Sequence, residues 1–172
     1  MHIRSVGVLG AGTMGAQIAA HVANVGVPVL LLDVTADAAT QGLDRARRLK
    51  PDPAFTPDSW TLISTGSFDT DLPRLRESDW IIEAVVERLD IKRALLERVD
   101  VARRAGSIVT SNTSTIPLAK LIEGMPDGFA RDFARSLSER TGLPVHLQDE
   151  RLSSREAESR LARTEPFVQI AM

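Results

Sequence analysis

At 172 residues, 43% hydrophobic and 26% charged, the chain is long enough for one good core, too short for two full α/β domains, and ordinary in composition for a soluble globular protein. A net charge of −2 with scattered basic side chains speaks against a nucleic-acid or polyanion partner. The lack of cysteine excludes disulfides, thiolate metal sites and cysteine nucleophiles, and no apolar run approaches the roughly 18 residues of a membrane span, so a cytoplasmic location is expected.

In chain order, "SVGVLG" (5–10) and "VPVLLLD" (27–33) are short aliphatic runs bounded by Gly or a charge, the pattern of strands buried on both faces. "TMGAQIAAHVANVG" between them has helical spacing and stops at Gly26, completing a βαβ unit. A second helix is expected over 35–50, with Leu43, Ala46 and Leu49 on one stripe, followed by the Pro-rich loop 51–60. Strands follow in "WTLISTG" and "DWIIEAVVE" (79–87), a helix over 90–106, a strand ending in a polar loop in "SIVTSNTS" (107–114), and a short helix over 116–125 with Pro117 in its first turn. The remainder reads as a helix in "DGFARDFARSLSERTG", a strand in "LPVHLQ", and a helix capped by Ser153 and Glu156.

Gly10, Gly12 and Gly15 form G-A-G-T-M-G at the first strand-to-helix turn, and Asp33 closes the next strand 18 residues past Gly15. In this context the spacing indicates a dinucleotide site. Gly10 permits the turn, Gly12 lets a pyrophosphate approach the backbone, and Gly15 lets helix and strand pack closely. The free amides of the helix start, at Thr13 and Met14, hold the anion. Asp33 accepts from the adenosine ribose hydroxyls and repels a 2′-phosphate, so NAD is favoured over NADP. The alternative is a glycine-rich turn in some other α/β protein.

With these residues in place, three stretches resemble the NAD-binding domain of L-3-hydroxyacyl-CoA dehydrogenases, in consecutive order from residue 3 to about 129. They are "VGVLGAGTMGAQIAAHVANVGVPVLLLDV", "ISTGSFDTDLPRLRESDWIIEAVVERLDIKRALLERVD" and "IVTSNTSTIPLAKLIEGMPDGF". The resemblance implies that Glu87 and Lys92, in "EAVVERLDIK", lie near the nicotinamide ribose. It implies that Asn112 and Ser114, in "SNTS", face the substrate, with Ser114 on its hydroxyl or carbonyl oxygen. A structural reading stands beside each: Glu87 as a solvated carboxylate, Lys92 as a first-turn helix residue without a ligand, and Asn112 and Ser114 as partners of strand-end backbone.

The same family carries a His base in a strand reading roughly G-T-H-F-F-N-P, about two dozen residues past SNTS. That distance falls on Arg135, and no such motif occurs in this chain. His21 lies inside the first helix and His146 on an expected strand at the wrong spacing. The helical domain that covers the acyl-CoA and forms the dimer in that family is likewise expected to be absent.

The stretch "FARSLSERTGLPVHLQDERLSSREAESRL" (133–161) resembles a different family, RNase H-like nucleases of the Holliday junction resolvase and ribosomal-RNA maturation type. That implies a metal-binding role for Glu150, beside Asp149, although the companion acids of such a site are not identifiable; the plain alternative is a solvated strand-to-helix loop.

The resulting expectation is an α/β protein with one doubly wound parallel sheet. Residues 1–129 form a Rossmann-like NAD-binding domain, and 130–172 add an edge strand and helices to the same sheet, as in a chimera of two families. Function follows as NAD binding of the 3-hydroxyacyl-CoA dehydrogenase type, with catalysis impaired by the missing base. Alternatives are a nuclease using Glu150, or an inactive scaffold. The partners expected are NAD and an acyl-CoA, with a homo-oligomer through exposed apolar surface, and no metal, membrane or nucleic acid.

Overall fold

The computed structural model describes residues 2–121 and the backbone of two short strands, 145–148 and 168–171. Five strands, β1 (Val6–Leu9), β2 (Val29–Asp33), β3 (Ile63–Ser67), β4 (Trp80–Glu83) and β5 (Ile108–Ser111), form one sheet in the order β3-β2-β1-β4-β5. All four pairings are parallel. The helices are α1 (Thr13–Ala23), α2 (Ala36–Arg47), α3 (Leu89–Ala102) and the short α4 (Leu118–Leu121), with 3₁₀ turns at Pro57–Leu62 and Leu72–Glu77. The doubly wound parallel sheet is thus present.

Alternation along the strands builds a core on each face. Val6 and Val8 of β1, Leu31 of β2 and Ile82 of β4 pack with Ala16, Ala19 and Ala20 of α1 and Leu43 and Ala46 of α2. Leu9, Leu30, Leu32 and Ile81 point the other way, onto Leu95, Leu96 and Val99 of α3 and Leu75 of the second 3₁₀ turn. The alanine stripe of α1 lets that helix lie close to the sheet, which brings its N-terminus to the end of β1.

Local chemistry sets the element ends. Thr35 caps α2, its hydroxyl accepting from the Ala38 N–H at 3.0 Å. Gly26 takes φ +79° just past α1 and donates to Ala23 O at 2.9 Å, closing the helix as expected. Asn24 clasps the Pro-rich loop from both sides: its Nδ2 donates to Pro53 O and its Oδ1 accepts from the Phe55 N–H, both at 2.9 Å.

Several boundaries differ from the sequence expectation. α2 stops at Arg47, so Leu49 is 37% exposed instead of joining the stripe of Leu43 and Ala46. Trp60, Thr61 and Leu62 belong to a 3₁₀ turn, and β3 begins at Ile63. β4 ends at Glu83, and 84–87 leave the sheet.

In the tail a strand forms at Val145–Gln148 (β6), but it is not an edge strand of the main sheet. It pairs in parallel with Val168–Ala171 (β7) in a separate two-stranded sheet. Val168–Ala171 is a second short apolar run, and it supplies the hydrogen-bonding edge that β6 needs. The helices expected in 127–142 and 153–165, together with Asp149 and Glu150, lie outside the described residues. Among the described residues no helix is long and apolar enough to cross a membrane.

Candidate functional site

The strand order reverses direction between β1 and β4, so the loops leaving their carboxyl ends open a crevice there. Leu9 and Glu83, the last residues of the two strands, are register partners. The glycine loop and the 84–88 loop therefore leave the sheet side by side.

Each glycine of the loop has a separate reason to lack a side chain. Gly10 sits at φ +101°, and a Cβ there would stand 2.7 Å from Ala84 O. A Cβ on Gly15 would lie 1.8 Å from Gly10 O, so only glycine lets α1 come this close to β1. Gly12 is different: it is extended (φ −68°, ψ −174°), and nothing lies within 4 Å of where its Cβ would be. The protein itself does not require glycine at that position; open space above a bare backbone is what an approaching pyrophosphate needs. No side chain caps α1, which leaves the first-turn amides, including those of Thr13 and the 54%-exposed Met14, directed out of the helix end for an anion.

Asp33 stands at the end of β2 and is already engaged. Its Oδ2 accepts from the Ala11 N–H and its Oδ1 from the Val34 N–H, each at 2.7 Å. A carboxylate has about four lone-pair sites. Each oxygen therefore keeps acceptor capacity for a further donor while the carboxylate tethers the glycine loop.

On the β4 side lies a charged cluster whose centre the sequence reading did not find. Glu83 and Lys92 both have 0% side-chain exposure. Lys92 Nζ donates to Glu83 Oε1 at 2.8 Å and Oε2 at 3.0 Å, and to Val85 O at 3.3 Å. Glu83 also accepts from the Val85 N–H at 2.7 Å and from the Ser111 hydroxyl of β5. The lysine then reaches Glu87 Oε2 at 3.2 Å.

Glu87 turns its other oxygen to the polar loop after β5. Oε1 accepts from Thr113 Oγ1 at 2.6 Å and, at 3.0 Å each, from the Ser114 N–H, the Thr115 N–H and Thr115 Oγ1. Burial alone would raise the Glu87 carboxyl. The bonds from Thr113, Thr115 and Ser114 outweigh it and hold the group well below the ordinary carboxylate range.

Asn112 and Ser114 are thereby fixed at the carboxyl edge, both exposed, with the Asn112 N–H on Glu83 O at 2.7 Å. All the sequence-derived site residues of 10–114 meet at one edge of the sheet. Lys92 does so from inside, with no exposed surface of its own. Glu83 had a legible signal: a carboxylate inside the apolar run "WIIEAVV", with a lysine nine residues on, marks a buried pair. His2 and His21, the histidines of residues 2–121, lie elsewhere, and His146 is a residue of β6. His2 and His21 are exposed, and His21 stands edge-to-face with Phe55 at 6.5 Å, toward the far end of α1.

A parallel sheet in this order, with a three-glycine turn at its switch point and a carboxylate closing β2, defines a dinucleotide-binding domain of the Rossmann type. The particular family follows from comparison with known proteins. Residues 5–129 match the NAD binding domain of 3-hydroxyacyl-CoA dehydrogenase, and the chain belongs to that family; its cofactor is NAD.

It is 39% identical over 153 residues to a probable 3-hydroxyacyl-CoA dehydrogenase of Bacillus subtilis (strain 168), and 40% identical over 140 residues to one of Deinococcus radiodurans. Each alignment covers 77% of this chain but only 19% and 40% of those proteins, so the chain spans well under half the length of these curated relatives. Among solved structures it is similar to an (S)-3-hydroxybutyryl-CoA dehydrogenase from Ralstonia eutropha, with 32% identity and a TM-score of 0.58 over 70% of this chain and 44% of that one. The 3-hydroxybutyryl-CoA dehydrogenase of Escherichia coli K12 shares the fold, at 24% identity and a TM-score of 0.65 over 99% of this chain and 39% of that one.

Proposed function

We propose that this chain is the cofactor-binding part of a 3-hydroxyacyl-CoA dehydrogenase, serving hydride transfer at C3 of an acyl-CoA. One observation carries the reading: Glu87 ties the Asn112–Ser114 loop to the β4 side of the same crevice that the glycine loop opens from β1.

In this reading Gly10, Gly12, Thr13, Met14 and Gly15 cradle the pyrophosphate, Asp33 accepts from the adenosine ribose, and Glu87 stands on the nicotinamide side. Lys92 acts through Glu87, holding its carboxylate in place from below. The chemistry NAD supplies when bound is reversible hydride acceptance. Asn112 and Ser114 orient the oxygen on C3, whose proton must leave as the hydride does.

Within these 172 residues no H-F-F-N-P motif supplies a base for that proton. Turnover by this chain alone is therefore expected to be about 10²- to 10⁴-fold below that of a relative with the base. The family match ends at residue 129, which supports reading the segment from about 130 as one of different origin. The test is a titration with NAD⁺ and NADP⁺, followed by an assay of acetoacetyl-CoA reduction with NADH. Saturable binding that prefers NAD⁺, with only slow reduction, is the expected result. Absence of NAD⁺ binding by the folded chain defeats the proposal, and reduction at the rate of a complete dehydrogenase defeats its impaired-catalysis part.

A further inference from the structure

Ala11, between the first two glycines of the loop, is gripped from two directions by the β2–α2 unit. Its N–H donates to Asp33 Oδ2 at 2.7 Å. Its carbonyl lies against Gly42 of α2: a Cβ built on Gly42 would stand 2.1 Å from Ala11 O and 2.7 Å from Ala11 Cβ. Ala11 is itself only 1% exposed, so the loop is packed in as well as bonded in.

Gly42 is a poor choice for the interior of a helix on propensity, since glycine forgoes the backbone restriction that alanine supplies. It is neither at a helix end nor in a left-handed conformation. The contact with Ala11 is the feature that accounts for it.

We propose that Gly42 is a positioning residue for the pyrophosphate site. Its bare backbone lets α2 press on Ala11 and so fixes the Gly10–Gly12 turn in the shape that leaves Gly12 open. The inference rests on the reading of that turn as the pyrophosphate cradle. The dinucleotide motif then has a fourth glycine, 27 residues past Gly15 and on a different helix.

The probe is NAD⁺, which carries the pyrophosphate, against adenosine, which does not, titrated into the full chain and followed by amide NMR. In Gly42→Ala an added methyl has backbone in its way, and the loop must shift. The NAD⁺ dissociation constant is expected to rise about tenfold or more, the worth of one charge-assisted hydrogen bond to a phosphate, while adenosine binds as before. Ala46→Gly, one turn along the same buried face, loosens α2 without adding an atom near the loop and is expected to leave both affinities unchanged.

Unchanged NAD⁺ affinity in folded Gly42→Ala overturns the proposal, as does an equal loss for adenosine, or an equal loss in Ala46→Gly. Should Gly42→Ala not accumulate as folded protein, the double variant with Ala11→Gly lets the loop retreat. That variant is expected to fold and bind NAD⁺ weakly, and parent-like NAD⁺ binding by it overturns the proposal. Failure of the parent chain to bind NAD⁺ overturns the cradle reading itself, and this inference with it.

Discussion

The Lys92 ammonium lies 2.8 Å from Glu83 Oε1 and 3.2 Å from Glu87 Oε2, and neither Lys92 nor Glu83 has any side-chain surface in solvent. A buried pair of this kind adds little net stability over apolar residues of the same size, but breaking it strands a charge. Lys92→Met is therefore expected to destabilise the fold by about 3–5 kcal/mol. Adding Glu83→Gln should recover much of that loss, because the carboxylate left without its partner is removed. Denaturant unfolding of the single and double variants measures both steps. A Lys92→Met variant as stable as the parent would show that the pair is not dry.

The two glycines at either end of the α1 start should separate folding from binding. Gly15→Ala places a methyl 1.8 Å from Gly10 O and is expected to cost several kcal/mol, since backbone on both sides must yield. Gly12→Ala meets nothing within 4 Å and needs no unusual φ, so its melting temperature should match or slightly exceed the parent's. In the proposed function NAD⁺ affinity should nonetheless fall in Gly12→Ala, because the methyl takes up open space that the pyrophosphate would need. Calorimetry on both variants decides this, and equal destabilisation by the two would refute it.

Acid should weaken the loop that Glu87 holds. The folded Glu87 carboxyl is depressed below its ordinary value of 4.5, so its contribution is complete above that value and disappears as pH falls through and below it. In Glu87→Gln that dependence is absent. The stability gap between parent and variant should be constant above about pH 5.5 and shrink steadily below about pH 4.5. A gap that ignores pH would mean that Glu87 acts by shape alone.

Asp33 tethers the glycine loop and, in the proposed function, also accepts from the adenosine ribose; its removal should show both. Asp33→Ala is expected to weaken NAD⁺ binding about tenfold or more, through the lost ribose acceptor and the freed Ala11 N–H. It should also narrow the preference for NAD⁺ over NADP⁺, because the charge that repels a 2′-phosphate is gone. Parallel titrations with the two nucleotides would expose an unchanged ratio, the result that contradicts this role.

Much of this site is legible in the order of the residues. The spacing of Gly10, Gly12 and Gly15 after an aliphatic run, and Asp33 closing the next one, are consequences of local geometry: a tight turn, a helix start and a strand end. The strands and helices through residue 121 follow from periodicity in the same way, with end errors of a few residues: a 3₁₀ turn takes Trp60–Leu62, α2 stops at Arg47 and β4 stops at Glu83.

The partners are another matter. That the tail strand Val145–Gln148 would pair with Val168–Ala171 instead of joining the main sheet is a choice of partner that periodicity does not report. That Gly42 would press on Ala11 required α2 to be laid across the loop. Lys92 is the sharpest case. Its position in the chain is that of a first-turn lysine, yet α3 packing on β4 carries it inward, to a place with no solvent-exposed surface and two carboxylates. Local chemistry acts between neighbours in the chain and can be read there. Burial and long-range pairing arise only when distant segments exclude solvent together, so they belong to the folded structure.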